Sequence, residues 1–284
     1  LLRHRSARAG MVILGLLVLM AIFAEVIAPY DPTELLKDVK RREPPCVHIL
    51  GCPEDQPEHL FGTDGNSRDL FSRVVFGSRL SLQVGVITMF FAIIIGLIIG
   101  AVAGFAGGWL DNLLMRLMDV LMAFPSLLLS IAIVSVLGVG LINALLAIGI
   151  VSIPRFARLV RSTVLSVKEM EYVQAARALG ASPLHILFKR ILPNAITPLI
   201  VQGTLGIATA ILDAAALSFL GLGAEPPRPE WGLMLSEERN SIFSAPYLVF
   251  FPGLFIMLTV LGFNLLGDGL RDALDPRLSR SNAA

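Results

Sequence analysis

Charge is scarce in this chain. Asp, Glu, Lys and Arg make up 16% of its 284 residues, against 55% hydrophobic residues, whereas a soluble domain carries about a quarter charged residues. With a mean hydropathy of +0.75, that shortage excludes the one or two soluble domains that length alone would allow. Lysine is rarest of the charged types, four against nineteen arginines. No lysine follows a glycine, so the chain has no G-x-x-x-x-G-K-[ST] loop and cannot cradle ATP phosphates in the Walker manner. The arginines are dispersed rather than patched, which argues against nucleic-acid binding. Cysteines number two and histidines four, and no catalytic constellation forms among them. A net charge of +1 decides nothing here, because in membranes the location of charge matters more than its balance.

What is abundant is long apolar sequence. Roughly 20 helical residues cross a ~30 Å hydrocarbon core, and about six such runs are present. They are Met11–Pro29, Leu80–Gly104, Leu113–Leu137, Val139–Ile153, Ala195–Leu222 and Tyr247–Leu266. The expected fold is therefore an all-α membrane protein with about six transmembrane helices. The first run follows Arg3, His4, Arg5 and Arg8 but is long for a signal peptide, carries Glu25 and lacks a small-x-small cleavage site, which favours an anchor. Gly96, Gly100 and Gly104 form two overlapping G-x-x-x-G units. They suit close helix approach or simply reflect the glycine content of membrane helices.

Lysine and arginine placement sets orientation. With the N-terminus inside, inner segments hold fourteen of the twenty-three bases. Seven fall between Arg155 and Arg190, against Glu169 and Glu171. The outer loops hold the other nine, and the first of them also holds nine acids, from Asp31 to Asp69. That first loop contains Cys46 and Cys52. Outside the cytoplasm a disulfide persists, while free thiols or a metal site with His48 and His59 are the alternatives. The spacing C-x-H-x3-C-x6-H matches no standard zinc pattern.

Two places draw functional expectations. The first is Tyr172–Pro193, a basic interruption read as two short helices, the first over Ser166–Leu179. Gly180 suits a left-handed C′ position, Ser182 an N-cap and Pro183 the first helical position. Leu184, Leu187, Phe188 and Ile191 then share one face, with His185, Lys189 and Arg190 off it. A basic helical hairpin between two spans is suited to docking at the membrane surface. The second place is Asp213, an acid well inside the fifth span. There it either faces a translocation path, where it would meet a cationic peptide amine, or is hydrogen-bonded at a helix interface beside Ala214-Ala215-Ala216.

At the hairpin the chain resembles the permease subunits of ABC importers, whose motif reads Glu-Ala-Ala, three residues, Gly and a closing Leu-Pro. Here it stands as Gln174-Ala175-Ala176, Gly180 and Leu192-Pro193. Gly62-Thr63-Asp64 with Arg68-Asp69, and Gly77-Ser78-Arg79-Leu80-Ser81-Leu82, resemble the dipeptide/oligopeptide subgroup. So do Asp119-Val120-Leu121-Met122-Ala123-Phe124-Pro125, Leu217-Ser218-Phe219-Leu220-Gly221-Leu222-Gly223 and Trp231-Gly232. Two departures stand out: Gln174 replaces a carboxylate, and Arg190 replaces a usually apolar residue.

The resemblance implies a permease subunit of an ATP-driven importer of di- or oligopeptides in the bacterial cytoplasmic membrane, with both termini cytoplasmic. It implies no enzyme and no cofactor in this chain, ATP and Mg being bound by partner subunits. The partners it implies are a second, homologous permease subunit forming a heterodimer, two ATPase subunits or domains, an extracytoplasmic substrate-binding protein and membrane lipid. ATPase coupling falls to Tyr172, Val173, Gln174, Ala175, Ala176, Arg177, Gly180 and Pro183. The expected organisation is a tail and first helix over 1–29, an extracytoplasmic loop over 30–77, a permease core over 78–270 and a cytoplasmic tail over 271–284. The coupling region lies at 154–193 within that core. Nickel chelates or haem are the alternative substrates within the class, and an ion-gradient-driven secondary transporter is the alternative outside it. That last reading predicts paired acids or broken helices near the midplane with visible repeats, whereas the sequence shows a single deep acid and no clear repeat.

Overall fold

A computed structural model describes residues 5–37 and 39–274. Arg3, His4, Asp38, Arg277 and Arg280 lie outside the described residues, so their part in the charge pattern is left as expected from sequence. The described residues are almost entirely helical. The helices are α1 (Arg5–Ile22), α2 (Ala24–Ile27), α3 (Leu70–Ala106), α4 (Gly108–Met122), α5 (Ser126–Leu137) and α6 (Leu141–Lys168). They continue with α7 (Glu171–Ala178), α8 (Pro183–Ile186), α9 (Pro193–Phe219), α10 (Trp231–Glu238) and α11 (Tyr247–Leu274). Helices α3, α6, α9 and α11 are long and apolar enough to cross a membrane, and α1 is a shorter apolar helix.

The expected third span, Leu113–Leu137, is not one straight helix. It divides into α4 and α5, bent by 94°. Pro125 explains the place of the break: it has no N–H to continue α4 and disfavours helical geometry at Phe124. The expected fourth span is longer than Val139–Ile153. Helix α6 runs through Pro154 to Lys168, so residues 154–168 continue the helix of that span before the hairpin corner. The second span likewise starts earlier, at Leu70, where the buried Asp69 carboxylate caps the helix by accepting from the Ser72 N–H.

Helices α3 and α6 run parallel and in close contact at the core. Gly96, Gly100 and Gly104 abut Phe156, Ala157, Val160 and Val164, and a Cβ at any of the three glycines would collide with α6. The G-x-x-x-G units therefore mark a packing seam, where small residues let two backbones approach. Helix α9 runs antiparallel to α3 on the same core, with Gly203 against Ile93 and Gly206 against Met89.

The molecule has two unlike ends. At the loop end, residues 30–69 fold down onto α3 and α10. Arg68 pairs with Asp64 at 2.6 Å and with Glu237 at 3.0 Å, and Arg73 pairs with Glu237 at 2.8 Å. Asp64, Arg68 and Arg73 are all buried. Arg42 adds a pair to Glu238 at 3.0 Å. His59, also buried, holds Asp69 at 2.8 Å. Its backbone exchanges two hydrogen bonds with Cys46, each 2.9 Å. Cys46 and Cys52 are joined in a disulfide, so neither thiol is free to ligate a metal. Trp231 is fully buried, and its indole N–H donates to the Val74 carbonyl at 3.0 Å. Gly232 sits flush on Ala215, which gives the alanine run of α9 a packing role.

Candidate functional site

The opposite end carries the hairpin. Helix α6 stops at Glu169, and Met170 is extended (φ −71°, ψ 144°), so the first hairpin helix is Glu171–Ala178 rather than Ser166–Leu179. Its C-terminus closes at Gly180, whose φ is +82°. The Gly180 N–H donates to Arg177 and the Ala181 N–H to Ala176, the paired bonds of a Schellman corner. A side chain at 180 would meet open space, so the requirement for glycine is conformational rather than steric. The Ser182 hydroxyl caps the next helix by accepting from the His185 N–H at 3.4 Å, and Pro183 is its first residue.

After α8 the backbone widens into a π-turn over Leu187–Ile191. The wider turn shifts the register of the side chains. The expected single apolar face of Leu184, Leu187, Phe188 and Ile191 is therefore divided. Leu187 and Ile191 turn inward beside Ile186 and Val173 and join the core that contains Val164 and Val167. Leu184 and Phe188 point outward, 66% and 63% exposed, alongside Leu179 at 88%. Burying Val173, Ile186 and Ile191 contributes roughly 1.5–3 kcal/mol each, which anchors the hairpin while its outer face stays open.

Polar contacts tie the two hairpin arms together. The Tyr172 hydroxyl donates to the Arg190 carbonyl at 3.3 Å, and Asn194 Nδ2 donates to the same carbonyl at 2.8 Å. Gln174 Nε2 donates to the Glu169 carbonyl at 3.1 Å, where α6 ends. A glutamate carboxylate has no N–H to give there, so the amide at this position fits a contact within the chain. Ala175, Arg177 and Pro183 are exposed on the hairpin surface, and Ala176 is half-buried.

Asp213 lies elsewhere. It lines a cavity of about 150 Å³ with Arg155, Phe156, Thr209 and, from the α4–α5 bend, Met122 and Phe124. Sequence reasoning counted Arg155 only as an inner base. Its signal was the spacing Arg155, Arg158, Arg161 on a helix that continues past Pro154. The three residues have different partners. Arg161 grips Asp111 with two bonds, at 2.5 and 2.7 Å, and Arg158 meets Asp119 at 2.6 Å. Both pairs hold α4 against α6, so Asp119 serves the bent pair. Glu25, the third acid noted near a span, pairs with Arg79 at 2.9 Å. A larger cavity of about 540 Å³ opens at the loop end beside Gly140, Asn143, Glu225 and Arg228. It holds none of the site residues expected from sequence.

Long membrane-length helices, a bent span and a closed hairpin at one end define a transport permease. The family described as "Binding-protein-dependent transport system inner membrane component" matches residues 69–280, and the N-terminal TM domain of oligopeptide transport permease C matches residues 1–45. The chain belongs to that family of inner-membrane transport components. It is 50% identical over 276 residues to the dipeptide transport system permease protein DppC of Alkalihalophilus pseudofirmus, covering 97% of this chain and 87% of the relative. It is 47% identical over 278 residues to the di/tripeptide transport system permease protein DppC of Pseudomonas aeruginosa, covering 98% and 90%. It is 48% identical over 276 residues to the glutathione transport system permease protein GsiD of Escherichia coli, covering 97% and 88%. Among solved structures, an inward-facing form of the MetNI methionine ABC transporter superposes with a TM-score of 0.60 at 21% identity, covering 72% of this chain and 98% of that one. At that identity the likeness speaks for the fold alone. Family membership and the relatives do not favour the ion-gradient-driven alternative.

Proposed function

We infer that this chain is a transmembrane permease subunit of an ATP-driven importer of di- and oligopeptides. The observation that carries the inference is the hairpin. It is rigidly closed at Gly180 and anchored by Val173, Ile186 and Ile191, yet it presents Leu179, Leu184 and Phe188 outward among Arg177, Lys189 and Arg190. Such a surface suits a partner's cleft. Tyr172, Val173, Gln174, Ala175, Ala176, Arg177, Gly180 and Pro183 would carry motion from an ATPase to the spans. ATP and Mg are held by that partner and not by this chain. The complex contains a second, homologous permease subunit, two ATPase subunits or domains and an extracytoplasmic binding protein, with both termini of this chain cytoplasmic.

Peptide as the substrate is supported by the relatives, which are named for dipeptides, di/tripeptides and glutathione. Those names favour peptide over nickel chelates or haem. Asp213 is the residue we place in the path. Purification of the tagged chain from its own membranes tests the assignment. An ATPase subunit and a second permease should co-purify, and reconstituted vesicles should accumulate a labelled dipeptide only with ATP and the binding protein. A chain that purifies alone and accumulates dipeptide on a proton gradient would sink it.

A further inference from the structure

Asp213 and Arg155 come from two helices of opposite direction and line one cavity of about 150 Å³. Among the described residues, neither makes an ion pair or a hydrogen bond. Charges at membrane depth normally close on a partner, because an unpaired one is costly in low dielectric. Other arginines of the same helix do so: Arg158 and Arg161 each hold an acid of α4. Arg155 makes no such pair among the described residues.

The rest of the lining offers little competition. Met122, Phe124 and Phe156 are apolar. Of its hydroxyls, Ser152 donates to the Ile148 carbonyl and Thr209 to the Leu205 carbonyl, while Ser126 is also in the lining. Among the described residues the cavity therefore presents one unpaired carboxyl and one unpaired guanidinium between largely apolar walls. At about 150 Å³ the cavity is small, so only a short segment of peptide would enter it.

We propose that Asp213 and Arg155 form a clamp for zwitterionic peptides, with Asp213 taking the terminal ammonium and Arg155 the terminal carboxylate beside the α4–α5 bend. The guanidinium fork matches a carboxylate with two parallel bonds. A compact ammonium needs only an acceptor, which Asp213 supplies. Arg155 is exposed and Asp213 half-buried, so the clamp holds loosely, as a path that must release its cargo requires. Recognition falls on the two termini rather than on side chains, so peptides of different sequence are treated alike.

The clamp rests on the peptide-importer reading above, and the test separates the two. The complete importer is reconstituted with its ATPase subunits and binding protein. Uptake of Ala-Ala, its N-acetyl form and its C-terminal amide is measured as a ratio of variant to wild type, which cancels the binding protein's own preference. Asp213→Asn should lower Ala-Ala and amide uptake about tenfold while leaving the acetylated form nearly unchanged, since the negative charge opposite the ammonium is lost although the amide oxygen still accepts. Arg155→Gln should do the reverse, sparing only the amide. Titrating the same peptides into the purified complex without the binding protein reads the same crossing where a capped peptide is not delivered. Equal losses across the series or unaffected variants would overturn the clamp. If Asp213→Asn lowers assembly, Arg155→Gln decides alone, because its side chain is exposed. A wild-type importer that takes up no peptide overturns the importer reading itself.

Discussion

The two ends of this permease handle charge in opposite ways. At the loop end, Asp64, Arg68, Arg73 and Glu237 pair with one another inside the protein, although two nitrogens of Arg73 find no hydrogen-bond partner, and Trp231 bonds to α3 at Val74. At the hairpin end, Arg177, Lys189 and Arg190 face outward and form no ion pair among the described residues, with Glu169 and Glu171 also exposed, beside the exposed Leu179, Leu184 and Phe188. Both ends are polar interruptions of an apolar chain, and both have rigid backbones. The difference is that one end finishes its interactions within the chain while the other leaves them open. A closed ionic cluster fixes shape, whereas an open basic and apolar surface is suited to receiving force from outside.

Sidedness is the sharpest way to break the contrast. Leu179→Cys and Phe243→Cys, at positions 88% and 98% exposed, are placed in a background lacking Cys46 and Cys52. In intact cells an impermeant maleimide should label only position 243. Labelling of both would place the two ends on the same side of the membrane.

Gly180→Val follows. A β-branched residue resists the φ of +82° that the corner needs, so the second arm is misdirected. ATP-driven uptake should fall to background while membrane abundance stays within about twofold, because strain at one exposed residue costs only about 1–3 kcal/mol. Wild-type uptake at normal abundance would strip the corner of its coupling role.

Asp64→Asn should show the opposite phenotype at the loop end. It removes one of the two carboxylates that Arg68 and Arg73 share, leaving Glu237 as their one close anion, and breaking a buried pair costs about 3–5 kcal/mol. Protein abundance and melting temperature should fall, while the molecules that fold keep their ATPase coupling. An unchanged melting temperature would show that the loop-end cluster does not hold the fold.

The smallest effect concerns Glu230, which caps α10 by accepting from the N–H groups of Gly232 and Leu233. Burial pushes its carboxyl above the ordinary glutamate range. A raised folded-state value means that the folded chain holds a proton the unfolded chain has already lost. Stability therefore falls as pH climbs from about 4.3, the unperturbed value, towards the raised one. Glu230→Gln should flatten that fall in melting curves and change stability by less than about 1 kcal/mol at neutral pH, since one carbonyl oxygen still caps the helix. A slope identical to wild type would assign the pH dependence elsewhere.

Several features were legible in the residues alone. Apolar runs and charge shortage define a membrane protein, because solvation in lipid constrains composition directly. Gly180, Ser182 and Pro183 mark the hairpin corner, because backbone conformation at those types is a local property. Packing decided the rest. Pro154 and Pro125 are the same residue type in apolar sequence, yet α6 passes through one while α4 stops before the other. The outward turn of Leu184 and Phe188 depends on a π-turn that no hydrophobic period announces. Which arginine meets an acid and which stays open is set by how α4, α6 and α9 lie together, since ion pairing acts over a few ångströms between residues tens of positions apart.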